Sequence, residues 1–182
     1  MKKIILSAVL FPLFVFAGMD GENFIQQRLP KLTAKEKSML LRIARITLEK
    51  YILEGKVPDF RLNSKRLEKE QGVFVTLNIG HDLRGCIGYI EPVKPLFQAV
   101  VDNVLNAATG DPRFQPVSAG ELGRIRIEIS ALSIPEQIDD YKKIALGKHG
   151  IIIEKYGRRA LFLPQVAKEQ GWTLEETLTH LC

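Results

Sequence analysis

Cysteine is scarce in this sequence of 182 residues, which contains only Cys86 and Cys182. Two cysteines so far apart provide neither a disulfide framework nor the Cys-X-X-Cys spacing of a zinc site, and they are too few for a four-thiolate iron–sulfur cluster. The glycine-rich fingerprints that cradle phosphates, GxxxxGK and GxGxxG, are also absent from the sequence. We therefore predict no metal and no cofactor for this chain.

Long tracts of one charge sign are missing as well. The 26 basic and 21 acidic residues leave a net charge of +5, and the basic residues occur as short pairs such as Lys142-Lys143 and Arg158-Arg159. Pairs of this kind are usually solvated surface, so we predict no nucleic-acid partner. A hydrophobic content of 46% with 26% charged residues is ordinary for a globular domain and argues against extended disorder.

The most apolar stretch is at the N-terminus. It covers residues 4–16, follows two lysines and precedes the small residue Ala17. This three-part pattern predicts a signal peptide at 1–17 that is cleaved after Ala17, in an exported or periplasmic protein. The stretch is shorter than the ~20 residues of a membrane span, so no stable span is expected after cleavage. The alternative is a mis-assigned start, with Met19 as the first residue of a cytoplasmic protein.

A single domain is predicted at 31–182, after a linker at 18–30. A capping box that begins at Thr33 opens a long amphipathic helix, and Gly55 ends it. Capping and periodicity predict the other elements, which are a β-hairpin at 72–79 and 83–90, a helix after Pro95 that ends before Gly110, a strand at 124–132, a second hairpin at 150–155 and 160–163, and a terminal helix that begins at Thr173.

Two segments lack a clear period. Residues 57–71 are predicted to be a surface connection, and residues 134–148 are predicted to contain only short helical pieces. The strands of the chain arrive as hairpins between helices. This order favours an α+β fold of antiparallel β-hairpins with flanking helices, in a single domain that can divide into two lobes around a cleft.

The strand predicted at 83–90 brings a thiol and a guanidinium onto one face. Side chains alternate along a strand, so Arg84, Cys86 and Gly88 share a face. The apolar members of the strand fall on the other face, namely Leu83, Ile87 and Tyr89. A fixed positive charge beside a thiol favours the thiolate, which is the nucleophilic form. Cys86 is therefore a candidate nucleophile, and Arg84 is a candidate contact for an anionic ligand or a partner.

Gly85 and Gly88 remove side-chain bulk around Cys86, as is required where a ligand or another backbone comes close. The alternative interpretation is that Cys86 is a small buried hydrophobe and that the glycines mark a β-bulge. If the face is functional, the Arg84→Ala variant should lose function and keep its fold.

Five segments resemble, in this order, the motifs of one family. They are LRGCIG (83–88), ATGDPRFQPV (108–117), EIS (128–130), GKHG (147–150) and FLPQVAKEQGW (162–172). On these segments the chain resembles the AMMECR-type domain family, also called AmmeMemoRadiSam system protein A. The resemblance implies a two-part α+β domain with a cleft, and partners that are a Memo-like protein and a radical S-adenosylmethionine protein. It implies no established reaction.

The sequence departs from this family at both ends. Family members usually have no signal sequence. The protein is therefore either exported or cytoplasmic, depending on the true start of the chain. Members also continue beyond the position of Leu181-Cys182, so the C-terminus here is short by comparison.

Two of these segments contain further candidate residues. His149 lies between glycines just before a strand, where an imidazole is either a proton carrier for a thiol or an ordinary loop residue. Asp111 and Arg113 either form an Asx-type turn locked by a salt bridge or present the guanidinium to an anionic ligand.

The sequence leaves two functions open. In the first, the chain is an enzyme or an enzyme component, with Cys86 as nucleophile and His149 as the group that moves protons. In the second, it is a non-catalytic binding or adaptor domain that docks a partner through the LRGCIG face. The residues predicted to bind the ligand or partner are Arg84, Gly85, Gly88, Asp111 and Arg113.

Overall fold

The structure, a computed structural model, describes residues 31–182 and the backbone of one strand near the N-terminus, β1 (Lys3–Ala8). Apart from that strand, the predicted signal peptide at 1–17 and the linker at 18–30 lie outside the described residues. The chain divides into two units. We call Pro30–Leu132 the central unit, and we call Met1–Leu29 together with Ser133–Cys182 the terminal unit.

The central unit begins with the helix that the capping box predicts, α1 (Ala34–Glu54). The Thr33 hydroxyl accepts a hydrogen bond from the Glu36 amide at 3.2 Å, and the Glu36 carboxylate accepts one from the Thr33 amide at 2.9 Å. Gly55 ends the helix in the left-handed conformation, with φ at 67°. Both ends of the predicted helix are confirmed.

The central unit also contains a three-stranded antiparallel sheet, a second α-helix, α2 (Leu96–Thr109), and a short 3-10 helix at Ala119–Glu121. The strands are β2 (Val73–Ile79), β3 (Asp82–Tyr89) and β4 (Ile125–Ala131), in the order β3-β2-β4. Helix α2 packs on β2 and β3, and α1 packs on α2 and β4. Both helices cover the same face of the sheet. The side chains that β2 presents on that face are fully buried in one core with residues of both helices.

The connection at 57–71 is not wholly surface, which corrects the prediction for this segment. Leu67 is fully buried in the core of the central unit. Gln71 is also buried, and its amide donates to the Leu132 carbonyl at 2.6 Å while its oxygen accepts from Arg66 at 2.6 Å. The many charges of the segment predict a surface loop, but the loop's apolar and amide side chains complete the core.

The terminal unit holds the second sheet, which is antiparallel and has the order β5-β1-β6-β7, with β5 (Glu136–Ile138), β6 (His149–Lys155) and β7 (Arg158–Phe162). Helices α3 (Pro164–Gln170) and α4 (Leu174–Leu181) follow it. The segment 134–148 contains the strand β5 as well as a short 3-10 helix at Tyr141–Lys143, so the prediction of helical pieces alone is wrong there. The α+β class with antiparallel hairpins is confirmed.

No helix in the described part of the chain has both the length and the apolar character needed to cross a membrane.

The cleft between two lobes stays a prediction.

Candidate functional site

A β-bulge interrupts the hairpin that carries the candidate cysteine. Leu77 pairs with Gly85, but the next residue of β2, Asn78, pairs with Leu83, so Arg84 is an extra residue in β3. A bulge reverses the alternation of side chains beyond it. Leu83 therefore does not share the core face of the strand as predicted, and it is 40% exposed.

The thiol of Cys86 lies on the sheet face that α1 and α2 leave uncovered. Cys86 pairs with Thr76 of β2, and its Sγ is 3.3 Å from the Thr76 hydroxyl oxygen. Thr76 pairs on its other side with Glu128 of β4, so thiol, hydroxyl and carboxylate form one row across the three strands. Cys86 is half-buried and forms no disulfide. It is not part of the helix-packed core.

The backbone of Cys86 faces the open edge of the sheet, and side chains cover it. Its N–H donates to Asp111 Oδ2 at 2.9 Å, and its carbonyl accepts from the Arg113 guanidinium at 3.3 Å. A strand at a sheet edge exposes unpaired N–H and C=O groups that need partners. The two residues of the predicted DPR loop supply those partners at Cys86.

Asp111 and Arg113 form the Asx turn with a salt bridge that the sequence predicts as one alternative. Asp111 Oδ1 accepts from the Arg113 amide at 3.1 Å, and the two carboxylate oxygens accept from the guanidinium at 2.9 and 2.7 Å. The Asp111 side chain is 2% exposed, whereas that of Arg113 is 54% exposed. The hydrogen bond from Arg113 lowers the pKa of Asp111 far below its ordinary value, against the opposing effect of burial. Asp111 is thus ionised at neutral pH.

Arg84 is directed to a carboxylate that sequence reasoning did not identify. Its guanidinium donates to both oxygens of Glu121, at 2.7 and 3.3 Å, and to the Pro116 carbonyl at 3.3 Å. Both side chains are largely buried. The hydrogen bond from Arg84 lowers the pKa of Glu121 to about 2, and hydrogen bonds from Ser118 contribute to the shift. Ser118 and Glu121 form a capping box, and their spacing in the sequence is the signal that identifies this carboxylate.

Arg113 is the arginine that contacts Cys86, because its guanidinium donates to the Cys86 carbonyl. The Arg84 guanidinium is paired with Glu121, and its role as a contact for an anionic ligand or a partner stays a prediction. Phe114 links the two arginines, because the guanidinium carbons of Arg84 and Arg113 lie 6.0 and 5.4 Å from its ring centroid. Phe114 and Thr76 are the other site residues that sequence reasoning missed.

Gly85 and Gly88 admit parts of the protein itself. A Cβ atom on Gly85 would lie 2.0 Å from the Ala107 carbonyl oxygen of α2. A Cβ atom on Gly88 would lie 2.3 Å from the Phe74 ring. Of the alternatives that the sequence leaves open, the close approach of another backbone describes Gly85, and an aromatic side chain occupies the space at Gly88. Their role in ligand binding stays a prediction.

His149 belongs to the terminal unit, where it is the first residue of β6. Its Nδ1 accepts a hydrogen bond from the Ala145 amide at 3.1 Å. Burial lowers the pKa of His149, and the charge of Lys148 adds to the effect. The other candidates, Arg84, Cys86, Asp111 and Arg113, come together in the central unit, and the role of His149 as a base for Cys86 stays a prediction. Within 31–182, no three histidine, cysteine or acidic side chains are grouped as a metal site requires.

Comparisons with known proteins agree with the resemblance seen in the motifs. The model of the AMMECR1 family matches residues 41–182. The chain is 44% identical to the protein MK0488 of Methanopyrus kandleri over an aligned length of 161, and the match covers 84% of this chain and 78% of that protein. It is 42% identical to the protein MJ0810 of Methanocaldococcus jannaschii over an aligned length of 159, and the match covers 83% of this chain and 79% of that protein.

A crystal structure of an uncharacterized protein, PH0010 from Pyrococcus horikoshii, has the same fold. The match has a TM-score of 0.76 at 38% identity and covers 80% of this chain and 77% of that one. A family model that matches most of the chain and relatives of this identity show the family together. The chain belongs to the AMMECR1 family.

Proposed function

We propose that this chain is a binding domain that docks a partner protein through the sheet face around Cys86. The observation that carries the proposal is that the charged groups around the thiol are paired with one another. Asp111 holds Arg113, and Glu121 holds Arg84. Paired in this way, they brace the strand and its loop and give a rigid surface. Rigid surfaces lose little conformational entropy when they bind.

The protonation states of the two carboxylates support a binding role. The pKa values of Asp111 and Glu121 both lie below their ordinary values because each accepts hydrogen bonds from an arginine. A general base is most effective when its pKa is close to the working pH. Both carboxylates are therefore poor proton acceptors for the thiol at neutral pH.

The composition of the sheet face around Cys86 also suits a protein partner. We define the thiol face as the side chains of Phe74, Thr76, Cys86, Glu128 and Ser130, which lie opposite the helices. It combines an aromatic ring with hydroxyl, thiol and carboxylate groups, and Glu128 is exposed. Specific interfaces commonly contain such an apolar centre among hydrogen-bonding groups. The partners that we propose, by resemblance to the family, are a Memo-like protein and a radical S-adenosylmethionine protein.

The test is a titration that measures the affinity of each of these two purified proteins for the wild-type chain and for a charge-reversal variant on the thiol face. Glu128→Arg changes an exposed side chain, and Glu68→Arg is the matched control because Glu68 is exposed in the same unit but outside the face. We expect Glu128→Arg to bind at least one partner about tenfold more weakly, because like-charged or unpaired groups at an interface lower the binding free energy. The control should bind normally, and both variants should melt within a few degrees of wild type. Wild-type affinity of Glu128→Arg for both partners would rule the proposed face out.

A second candidate function is a cysteine-dependent enzyme or enzyme component. The half-buried thiol beside the Thr76 hydroxyl favours it, because a hydroxyl can donate to a thiolate and stabilise it. In this hypothesis Cys86 is the nucleophile and His149 moves protons. The rate of alkylation of Cys86 is measured against pH in a Cys182→Ser background. A thiolate that forms well below about pH 8.5 supports the enzyme, and an unreactive native thiol supports the binding domain.

A further inference from the structure

The hairpin between β6 and β7 ends in a two-residue turn that presents a tyrosine to solvent. Lys155 pairs with Arg158, so the turn consists of Tyr156 and Gly157. Both have positive φ, 51° and 73°, which is the geometry of a type I′ turn. The Tyr156 side chain is 90% exposed.

Tyr156 is an unfavourable residue for this position. Type I′ turns prefer Asn, Asp or Gly at the first central residue, because other side chains are strained at positive φ. The ring buries almost no surface within the chain, so packing does not compensate for the strain. Neither turn formation nor core packing explains the tyrosine, and contact with another molecule is an explanation that fits both observations.

The turn is also positively charged. The tip, which we define as residues 154–159, has the sequence EKYGRR and so contains three cations and one carboxylate. Glu154 pairs with Arg159 at 2.9 Å. The Lys155 ammonium lies 5.4 Å from the centroid of the Tyr156 ring, and Arg158 is exposed. The cations therefore exceed the carboxylate at this exposed turn of the terminal unit.

We propose that this tip binds an acidic surface of a partner protein, with Tyr156 at the centre of the contact. Tyrosine and arginine are the side chains that most often dominate the energy of protein interfaces, and an excess of positive charge fits an acidic partner. A nucleic acid, whose bases would stack on the Tyr156 ring, is an alternative that the experiment distinguishes. The proposal concerns the terminal unit and does not depend on the thiol face.

The experiment is a fluorescence titration of the full chain with a labelled poly-glutamate peptide, compared among three variants. Tyr156→Asn places the preferred residue in the turn, so it should raise the Tm while it weakens peptide binding about tenfold. Arg158→Gln should weaken binding severalfold. Lys142→Gln is the matched control, because it removes the same charge from an exposed position of the same unit away from the tip. It should bind the peptide nearly as wild type does.

Three results would overturn the proposal. The first is wild-type affinity of the Tyr156→Asn variant. The second is an equal loss of affinity in Lys142→Gln and Arg158→Gln, because net charge alone would then explain the binding. The third is tighter binding of polyuridylate RNA or of phosphatidylglycerol vesicles than of the peptide, together with a Tyr156→Asn variant that loses affinity for that ligand alone. That result would assign the tip to a nucleic acid or a membrane surface.

Discussion

At the scale of single residues, the Asp111 carboxylate connects Cys86 to the loop that contains Arg113. It accepts from the amide of Cys86, from the amide of Arg113 and from the Arg113 guanidinium. One buried carboxylate thereby fixes the edge strand, the loop and the arginine relative to one another. Charge-assisted hydrogen bonds of this kind are roughly twice as strong as neutral ones.

We expect Asp111→Asn to destabilise the protein by about 1–3 kcal/mol at neutral pH, because one partner of a buried charged contact is lost and an amide N–H₂ then faces other donors. The pKa of Asp111 is lowered by folding, so its contribution is full above the ordinary value near 4 and is lost as the pH falls below it. Urea unfolding at neutral and at acidic pH measures this. The difference in unfolding free energy between Asp111→Asn and wild type should be smaller at acidic pH. Asp59→Asn, an exposed control, should unfold like wild type at both pH values. A difference that stays constant would contradict the ionic explanation.

Gly85 gives a second prediction at this scale. Gly85→Ala should cost about 2–4 kcal/mol in unfolding free energy, since its Cβ would overlap the Ala107 carbonyl of α2 and force strand and helix apart. Gly123→Ala is the control, because a Cβ there meets nothing within 4 Å. Thermal unfolding compares the two variants. Equal melting temperatures would mean that α2 and β3 adjust freely, and the glycine would then be open to a ligand role.

At the scale of elements, arginines cover both edges of the three-stranded sheet. Arg113 and Asp111 bind the Cys86 backbone on the β3 edge. On the other edge, Arg45 of α1 donates to the carbonyl of Ile125, the first residue of β4, and to the carbonyl of Leu122, which precedes the strand. Edge strands with unpaired backbone groups invite pairing with other chains. The two arginines satisfy part of each edge without adding a strand.

The Arg45→Met variant tests this arrangement at the β4 edge. Methionine keeps an apolar stem but removes the donors, so we expect a loss of about 1 kcal/mol and a greater tendency to self-associate. Arg42→Met is the matched control, because Arg42 is exposed on the same helix. Urea unfolding and light scattering after mild heating give the two readouts. Identical behaviour of the two variants would show that the Arg45 contacts contribute nothing.

At the scale of the whole molecule, the two units differ in how they are built from the chain. The central unit is one continuous segment, Pro30–Leu132, with its own core. The terminal unit combines residues from both ends of the chain, and β1 lies between β5 and β6 in its sheet. The residues of β1 lie within the predicted signal peptide.

The processing of the N-terminus is therefore a prediction with a structural consequence. Intact-mass analysis of the protein from its native host should give a chain that begins at Gly18 if the signal peptide is cleaved. Such a chain lacks β1, so the β6 amides that face it should exchange hydrogen faster than in the full-length protein. A mass that begins at Met1 or Met19 would exclude cleavage after Ala17.

The local features of this protein follow from its amino-acid sequence alone. Helix α1 is set by Thr33 and Gly55, and the hairpins and β4 follow from alternation between turn residues. These signals act between residues that are close in sequence, so they can be interpreted without the fold. The motifs around Cys86 and Asp111 also identified the family and the candidate site, because they depend on residue identity alone.

The contacts of the site residues, by contrast, depend on the three-dimensional fold. Arg84 binds Glu121, and Cys86 binds Asp111, across long stretches of chain. Strict alternation also fails at Arg84, because the bulge depends on the pairing of β3 with β2. Likewise, Leu67 is buried although its segment is rich in charges. Hydrogen bonding and burial depend on which groups the fold brings together, and most of these groups are distant in sequence.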